Sequence, residues 1–435
     1  MKVEWFVSVI TLALSLGMEE GDFCSKEDGL CSSSPRANLL KERRYLLYDV
    51  NPGEGFNLRR DVYMRIAALA KKIREVRLQE DWILVLPPWG PLYHWKSEIA
   101  EPQIKIPWSE FFNLRSLSKY VPVIEFETFL KENGEEVEEI FYLQHYEEGW
   151  TEGKWEEKMD IRNCLENHPY SKSNGVYSGW FWGYQDVYAI KFNCLSVQGF
   201  SSTLLPLFTR MSKAKSIMID RAEVILHDNY GDKNYWDIRR SMRFASILIE
   251  IGNKFRREYL NSSDDADKTI LDDDWQKVKA RNSRSAMGGP YVAVHLRRRD
   301  FVRSRPTEIP SIKYASEQIT KILKKYSLSK AFVATDAPNY EFEELKLYLK
   351  NVATVVRFVP SKEILKRYKD GGVAIIDQWI CSHARYFTGS YESTFSFRIQ
   401  EEREILGFPV DSTFNRLCGD GKKSCEQPAR WTVVY

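Results

Sequence analysis

Residues 45–57 have the sequence Tyr-Leu-Leu-Tyr-Asp-Val-Asn-Pro-Gly-Glu-Gly-Phe-Asn, and this stretch decides the fold. It begins as an apolar run and ends in a turn in which Glu54 stands between two glycines. The apolar residues that follow recur at intervals of three and four up to Val76, which predicts an amphipathic helix. A strand, a glycine-flanked turn and a helix in this order are typical of α/β proteins, which bind nucleotides and sugars at such turns.

The carboxylate at the tip of this turn limits the roles that the turn can have in binding or catalysis. A glutamate would repel a phosphate group, so Glu54 suits an acid, a base or a ligand-orienting residue better than a phosphate cradle. The alternative is an ordinary solvent-exposed turn residue, and this stretch alone leaves both interpretations open.

Length and composition set the broad class of the protein. A chain of 435 residues is too long for one ordinary core, which predicts two domains. The hydrophobic fraction of 43% is enough to fill two cores, and the formal net charge of +2 gives no support for a dedicated nucleic-acid binder.

The N-terminal residues predict a secretory signal peptide at residues 1–17. Lys2 precedes an apolar run from Trp5 to Leu16, and Ser15-Leu16-Gly17 is a small-x-small cleavage pattern. A polar leader follows at residues 18–42. The apolar run is too short for a membrane span, so we expect no membrane span and a mature chain that is soluble and lumenal or secreted.

Seven cysteines agree with an oxidising compartment. We expect the disulfides Cys24–Cys31, Cys164–Cys194 and Cys418–Cys425, although other connectivities remain open. Cys381 lies in an apolar run and is predicted to be a buried free thiol. Asn261-Ser262-Ser263 is an N-glycosylation triplet in a polar segment, so Asn261 is a candidate glycosylation site.

Alternating strand and helix patterns predict an N-terminal domain at residues 43–260 and a C-terminal domain at 290–435. The polar segment 261–289 is predicted to be the linker between them. In the first half we expect the acidic segment 135–158 to be a surface excursion and residues 235–260 to be one helix. Aromatic residues crowd the loops after the second strand; they are Trp89, Tyr93, His94, Trp95 and Trp108.

Asp265-Ala266-Asp267 in the linker allows a second interpretation, as the metal-binding Asp-x-Asp of metal-dependent glycosyltransferases. That motif follows an apolar strand, and the residues before Asp265 are polar. A solvated linker is therefore favoured, and we expect no metal ligands.

Two further motifs in the second half could bind a diphosphate. His295-Leu296-Arg297-Arg298-Arg299 follows directly on an apolar strand, and an arginine there can hold a diphosphate bidentately. The alternative is a basic cluster paired with acidic neighbours, which we expect for at least two of the three arginines.

Gly389 to Thr394 precede a helix, where a hydroxyl from Ser393 or Thr394 and free N–H groups form an anion site or an ordinary helix cap. Asp377 lies in the helix before this turn, and its carboxylate suits the paired N–H donors of guanine. Together, these motifs fit metal-independent transfer of a group from a nucleotide diphosphate.

Four segments resemble the GDP-fucose protein O-fucosyltransferase family. They are residues 44–57, His295 to Phe301, Asp377 to Cys381, and Ser393 to Arg398, and the similarity runs from about residue 43 to the C-terminus. The resemblance implies an α/β GT-B fold, with two Rossmann-like domains facing each other across a cleft. It also implies an inverting, metal-independent transfer of fucose from GDP-fucose to Ser or Thr of folded thrombospondin type 1 repeats, in the endoplasmic reticulum lumen, with no cofactor.

The resemblance also assigns roles to single residues. It implies that Glu54 is the catalytic base and that Arg297 acts on the diphosphate. The implied donor-binding residues are Gly53, Glu54, Gly55, Phe56, Asn57, His295, Leu296, Arg297, Asp377, Ser393, Thr394 and Phe395. Gly53 replaces a proline of the family pattern but leaves Glu54 in register.

A competing class of function is a non-catalytic lumenal chaperone that holds cysteine-rich modules through the aromatic loops. It predicts binding without consumption of a nucleotide sugar. In either case we expect a monomer.

Overall fold

The structure is a computed structural model, and it describes residues 41–149, 153–278 and 284–435. Arg43 to Tyr435 form one compact unit. The predicted signal peptide, almost all of the polar leader and the Cys24–Cys31 pair lie outside the described residues. Within the described ranges, none of the helices combines the length and the apolar composition needed to cross a bilayer.

The first half of the chain builds a nine-stranded mixed sheet around the stretch at residues 45–57. Its strand order is β3-β2-β1-β9-β4-β8-β7-β6, and β5 pairs with β8. The neighbours β1 and β9 are parallel, as are β9 and β4, whereas β5, β6 and β7 form antiparallel pairs. The strands are β1 (Glu42–Tyr48), β2 (Glu80–Leu86), β3 (Val123–Glu125), β4 (Glu136–Gln144), β5 (Lys158–Arg162), β6 (Ser171–Ser173), β7 (Val176–Ser178), β8 (Tyr188–Gln198) and β9 (Ser216–Asp220).

The helices of this half begin with the one predicted after the turn, which buries an apolar face that includes Val62, Ile66, Leu69 and Ile73. The helices are α1 (Phe56–Val76), α2 (Leu114–Ser118), α3 (Phe126–Asn133), α4 (Lys233–Ser241), α5 (Ser246–Leu260) and α6 (Asp264–Asp267). Short 3-10 and π segments lie at Glu98–Ala100, Trp108–Glu110, Phe181–Gly183, Ser201–Leu204, Leu207–Met211 and Ala222–Val224.

The acidic segment predicted as a surface excursion contains a central strand, so that prediction was wrong. β4 lies between β9 and β8, and most of its residues are buried. Its acidic side chains are satisfied by specific partners, because Glu138 accepts the backbone N–H of Lys215 at 2.7 Å and Glu139 accepts Asn193 Nδ2 at 3.0 Å. These partners are distant in sequence. The local composition therefore showed only an acidic segment and did not predict a buried strand.

The single helix expected at residues 235–260 is two helices, α4 and α5. The backbone N–H of Asn113 donates to the carbonyl of Arg243 at 2.9 Å, and the N–H of Ala245 donates to the carbonyl of Phe111 at 2.9 Å. These bonds to a neighbouring loop replace helical ones, so the break occurs without a proline or glycine.

The second half of the chain builds a four-stranded parallel sheet in the order β12-β11-β10-β13. Its strands are β10 (Gly289–Leu296), β11 (Lys330–Thr335), β12 (Thr354–Val356) and β13 (Ala384–Thr388). The helices are α7 (Arg299–Ser304), α8 (Ile312–Lys325), α9 (Asn339–Leu349), α10 (Lys362–Ser382), α11 (Thr394–Leu406) and α12 (Val410–Thr413). α10 begins ten residues before the predicted Gly372 and is interrupted at Lys369, whose φ is 60°.

Helices of the two halves are held together by a buried charge network. Arg239 on α4 donates to Glu401 on α11 at 2.7 Å and to Glu402 at 2.9 Å. Arg398 on α11 contacts Glu401 at 3.1 Å and Asp61 on α1 at 3.4 Å. The network therefore links α1, α4 and α11. Two of these helices, α1 and α11, begin at the motifs singled out in the sequence.

Candidate active site

Side chains of the first half hold the turn that carries Glu54. The backbone N–H of Asn51 donates to Glu223 Oε2 at 3.1 Å, and the N–H of Glu54 donates to the carbonyl of Asn51 at 2.9 Å. Arg59, one turn into α1, donates from Nη2 to the carbonyls of Val50 and Asn51 at 3.1 and 3.0 Å. Glu54 is thereby fixed between the end of β1 and the start of α1.

The surroundings of Glu54 are suited to the base that the sequence analysis predicts. Partial burial, and then the negative charge of Glu223, raise the pKa of Glu54, and the Arg59 cation opposes the shift. A raised pKa makes a carboxylate a stronger proton acceptor at neutral pH. The neighbouring Asp220, at the end of β9, is also affected, because burial and the charge of Asp49 raise its pKa to about 7.

Arg297 lies beyond the end of β10 and is held by groups from three elements. Its backbone N–H donates to Ser390 Oγ at 2.8 Å. Its guanidinium donates to Asp300 Oδ1 at 2.6 Å and to Asp336 Oδ2 at 2.5 Å. The neighbouring Arg298 is buried against Glu341 at 2.7 Å. Arg297 and Arg298 are therefore both paired with acids, while Arg297 keeps the position predicted for a diphosphate contact.

The exposed side chain of His94 connects the Glu54 turn to Arg297. It lies in the loop after β2, and its Nδ1 is 3.3 Å from Arg297 Nη2. The other edge of the ring lies against Gly55, where a Cβ atom would be 3.5 Å from Cδ2 and 3.8 Å from Nε2. The sequence separates these three residues widely, and the fold places His94 beside both Gly55 and Arg297.

The start of α11 packs tightly against the end of β10. His295 is buried, and a hydrogen bond of 2.8 Å joins its Nδ1 to Ser396 Oγ. Its ring stacks on Phe395, with the ring centroids 4.3 Å apart. Burial, and then the Arg297 charge, lower the pKa of His295 to about 3, so its ring is neutral. Gly389 leaves no room for a Cβ atom beside Ser396, which explains a glycine at this close approach.

The first turn of α11 has the features of an anion site. Ser393 occupies the N-cap position, as predicted, but its side chain makes no capping hydrogen bond. Thr394 follows it and is exposed. The first N–H groups of the helix therefore lack a side-chain cap from Ser393 and can bind an anion.

Asp377 lies in α10 with an unsatisfied carboxyl oxygen. Its Oδ1 is buried and has no hydrogen-bond partner. Burial raises the pKa of Asp377 to about 8, against an opposing effect of Arg357. The adjacent Gln378 donates from Nε2 to Asn57 Oδ1 at 2.8 Å, so the first turn of α1, which follows the Glu54 turn, is linked to α10.

Some predicted site residues can contribute only backbone atoms. Phe56 and Leu296 have buried side chains in hydrophobic clusters. Gly53, at the exposed tip of the turn, donates its N–H to Asn51 Oδ1 at 3.1 Å. Among the other predicted residues, His94 lies beside Gly55 and Arg297, Ser390 joins Arg297 to His295, and Gln378 bonds to Asn57.

The predictions for the cysteines and for Asn261 concern residues outside the candidate site. Disulfides join Cys164 to Cys194 and Cys418 to Cys425, which are two of the three predicted pairs, and Cys381 is free and buried, as predicted. Asn261 is exposed at the end of α5, where Lys330 Nζ donates to its Oδ1 at 3.2 Å.

The alternative Asp-x-Asp motif is involved in structural contacts. Asp267 is buried and accepts from Arg256 Nη2 at 2.9 Å, whereas Asp265 is exposed. Among the residues that the structure describes, no group of three or more His, Cys, Asp or Glu side chains is arranged to hold a metal ion.

The residue-by-residue predictions missed several groups at the site. They are His94, Glu223, Asp336 and Gln378, which hold the predicted residues in place. Asp336 follows β11 directly, so the rule that carboxyl ends of parallel strands share one edge could have identified it. Glu223 and Gln378 carry no comparable signal, because their partners are set by packing.

Comparisons with known proteins agree with this description. A family model described as GDP-fucose protein O-fucosyltransferase matches residues 45–406. GDP-fucose protein O-fucosyltransferase 2 of Homo sapiens is 54% identical, over 92% of this chain and 92% of the relative. The Caenorhabditis elegans protein of the same name is 48% identical, over 92% of this chain and 93% of the relative. A crystal structure of POFUT1 in complex with GDP-fucose superposes with a TM-score of 0.54 at 19% identity, covering 88% of this chain and 98% of that chain.

The structural likeness to POFUT1 defines the class of fold, an α/β fold of the GT-B-like kind with a mixed sheet and helices. The family match and the similar sequences then specify the protein further: the chain belongs to the GDP-fucose protein O-fucosyltransferase family and is a fucosyltransferase. The competing prediction of a non-catalytic binding protein is therefore wrong.

Proposed function

We propose that this fucosyltransferase transfers fucose from GDP-fucose to Ser or Thr hydroxyls of folded thrombospondin type 1 repeats, with inversion and without a metal ion. The observation that carries the proposal is the position of His94, which lies beside Gly55 of the Glu54 turn and 3.3 Å from Arg297. It joins a base and a cation, which are the two groups needed to activate a hydroxyl and to stabilise a departing diphosphate. The names of the similar human and nematode proteins support the donor and the use of a protein acceptor.

The nucleotide has a matching partner in α10. Guanine presents an N1–H and an N2–H side by side, and a carboxylate can accept both. Asp377 has a buried oxygen with no hydrogen-bond partner, so a guanine at this position would satisfy it. The diphosphate would then lie between Arg297 and the uncapped start of α11.

The chemical step follows from this placement. The acceptor oxygen forms a bond to the anomeric carbon of fucose while the bond from that carbon to the β-phosphate oxygen breaks. Glu54 takes the hydroxyl proton, and GDP leaves with the electron pair of the broken bond. Arg297 and the N–H groups of α11 stabilise its charge. Because the acceptor attacks from the face opposite GDP, the anomeric configuration inverts.

The remaining roles are part of the same proposal. Gly53, Gly55, Phe56 and Asn57 would shape the sugar side of the donor site, and His295, Leu296, Ser393, Thr394 and Phe395 the phosphate side. Residues 43–260 and 290–435 would be two Rossmann-like domains facing a cleft, connected by residues 261–289. The chain would act as a monomer in the endoplasmic reticulum lumen, with Asn261 as a glycosylation site and residues 1–17 as the signal peptide.

The test uses purified protein, GDP-fucose and a folded thrombospondin type 1 repeat whose intact mass is measured. We expect the wild type to add one deoxyhexose in the presence of EDTA, with an anomeric configuration opposite to that of the donor. Glu54→Ala should lower kcat by about 10²–10⁴-fold, the contribution of a general base. Its Kd for GDP should stay within about twofold of the wild type, since Glu54 acts on the acceptor.

Glu343→Ala, which removes an exposed carboxylate on α9, is the matched control and should leave kcat unchanged. Turnover by Glu54→Ala at the wild-type rate would exclude Glu54 as the base. Activity that disappears with EDTA and returns with Mn²⁺ would contradict the metal-independent reaction and direct attention to Asp265 and Asp267.

A further inference from the structure

The position of His94 indicates a role in the proposed site beyond packing within its loop. It is exposed, yet its ring has two defined neighbours, Gly55 on one edge and the Arg297 guanidinium on the other. These neighbours belong to the two motifs on which the proposed reaction depends. The sequence placed His94 among the aromatic residues that crowd these loops and could hold a sugar or a protein, without giving it a role of its own.

The contact with Arg297 fixes the tautomer of His94. A guanidinium can only donate, so Nδ1 of His94 accepts from Arg297 Nη2, and the ring proton resides on Nε2. Partial desolvation of the ring, and then the charge of Arg297, lower the pKa of His94, so the neutral form predominates at physiological pH. Within the described residues, Nε2 has no hydrogen-bond partner.

The free N–H lies where the donor sugar must be. If Arg297 binds the diphosphate and Glu54 deprotonates the acceptor, the fucose that is attached to the diphosphate occupies the space between them. His94 contacts both sides of that space, with Nε2 on the Gly55 side. A sugar hydroxyl oxygen there can accept the hydrogen bond.

We propose that His94 is a further substrate-binding residue, which donates a hydrogen bond from Nε2 to a hydroxyl oxygen of the donor sugar while Nδ1 orients Arg297. This inference rests on the proposed function, because it needs the nucleotide sugar to lie between Glu54 and Arg297. It assigns the recognition of the sugar, as distinct from the nucleotide, to a loop of the first half of the chain.

Two substitutions separate the two nitrogen atoms of the ring. His94→Asn keeps a short amide near the Nδ1 position and removes the Nε2 donor, whereas His94→Gln places an amide N–H near the Nε2 position. The measurements are the Kd for GDP by calorimetry, and kcat and KM for GDP-fucose at a fixed concentration of folded acceptor.

We expect His94→Asn to bind GDP within about twofold of the wild type, because GDP lacks the sugar. Its kcat/KM for GDP-fucose should fall by about three- to tenfold, the effect of one hydrogen bond. His94→Gln should recover most of this loss in kcat/KM. Glu98→Ala, an exposed change four residues further along the chain, should leave all three values unchanged.

Two results would overturn the inference. One is a wild-type kcat/KM for His94→Asn. The other is an equal loss of affinity for GDP and for GDP-fucose in both His94 variants, which would show that the side chain acts only through Arg297. A wild-type protein that transfers no fucose would instead contradict the proposed function, so the two failures are distinguishable. Thermal unfolding of each variant verifies that the exposed substitution leaves the fold intact.

Discussion

Asp377 carries a buried carboxyl oxygen, Oδ1, that has no hydrogen-bond partner among the described residues, and the proposed guanine contact would supply one. Burial raises the pKa of its carboxyl to about 8, because the charged form is poorly solvated inside α10. Below that pH the group is largely protonated, whereas two N–H donors of a guanine favour the carboxylate. In the proposed site, nucleotide binding is therefore coupled to loss of a proton from Asp377.

The residue-scale prediction is that GDP binds more tightly as the pH rises from 7 to 8, by less than tenfold over that interval. The reason is that less free energy is then needed to ionise Asp377. Calorimetry in two buffers of different ionisation enthalpy should show proton release. Asp377→Asn cannot ionise and presents an N–H to the guanine donors, so its Kd should rise by about 10- to 100-fold.

The same Asn variant is the control for titration of the phosphate groups of GDP. Phosphate ionisation persists in Asp377→Asn, so only the part of the pH dependence that the substitution removes belongs to Asp377. An identical pH dependence of GDP affinity in both proteins would refute the coupling.

At the scale of elements, a buried polar contact joins α1 to α10. Gln378 accepts from Arg60 Nη1 at 2.8 Å and donates to Asn57 at 2.8 Å. Arg60 is fully buried, and its guanidinium lies over the rings of Phe112 and Phe244 at 5.4 and 5.2 Å. Burial, and then the charges of nearby Arg239 and Arg398, lower the pKa of Arg60. The charged form of the guanidinium is therefore destabilised at this position and needs hydrogen-bond acceptors.

The element-scale prediction concerns this contact. Gln378→Leu should lower the free energy of unfolding by about 2–3 kcal/mol, because it removes the closest hydrogen-bond acceptor of a buried cation. Arg60→Met combined with Gln378→Leu should recover most of that loss, since an apolar pair of similar size needs no partner. Urea denaturation of the two single variants and the double variant completes the cycle.

A double variant as unstable as the sum of the single variants would contradict this explanation. It would mean that Arg60 and Gln378 stabilise the helices independently, through packing alone.

At the scale of the whole molecule, the buried charges of α11 hold the two halves of the chain together. Glu401 is fully buried and accepts from Arg239 on α4 at 2.7 Å, while Arg398 lies 3.1 Å away. Arg398 also reaches Asp61 on α1. Burial opposes the ionisation of Asp61, but the hydrogen bond from His227 and the nearby arginines lower its pKa overall.

The whole-molecule prediction is that Glu401→Gln destabilises the fold by about 3–5 kcal/mol, because two buried arginines lose a shared counter-charge. Urea denaturation measures the change. Glu343→Gln, which breaks an exposed ion pair with Lys346, is the matched control and should shift the free energy of unfolding by less than about 0.5 kcal/mol. Equal effects of the two substitutions would show that the network carries no special stability.

Elements whose patterns are local could be predicted from the amino-acid sequence. The strand, turn and helix at residues 42–76 follow from an apolar run, two glycines and a helical period, and the parallel strands of the second half follow from the same signals. The positions of Glu54 in a turn, Arg297 after a strand end, Asp377 within a helix and Thr394 at a helix start were predictable for this reason. Resemblance to a family supplied their roles.

Which of these residues meet depends on how the chain folds in three dimensions. Asn57 and Gln378 are 321 residues apart, and His94 and Arg297 are 203 apart, yet each pair is in contact. β4 became a central strand because Lys215 and Asn193 satisfy its glutamates, a fact absent from its local composition. Local periodicity records which face of an element is buried, but contacts between elements depend on how the whole chain packs, so the connections within the site emerge only in three dimensions.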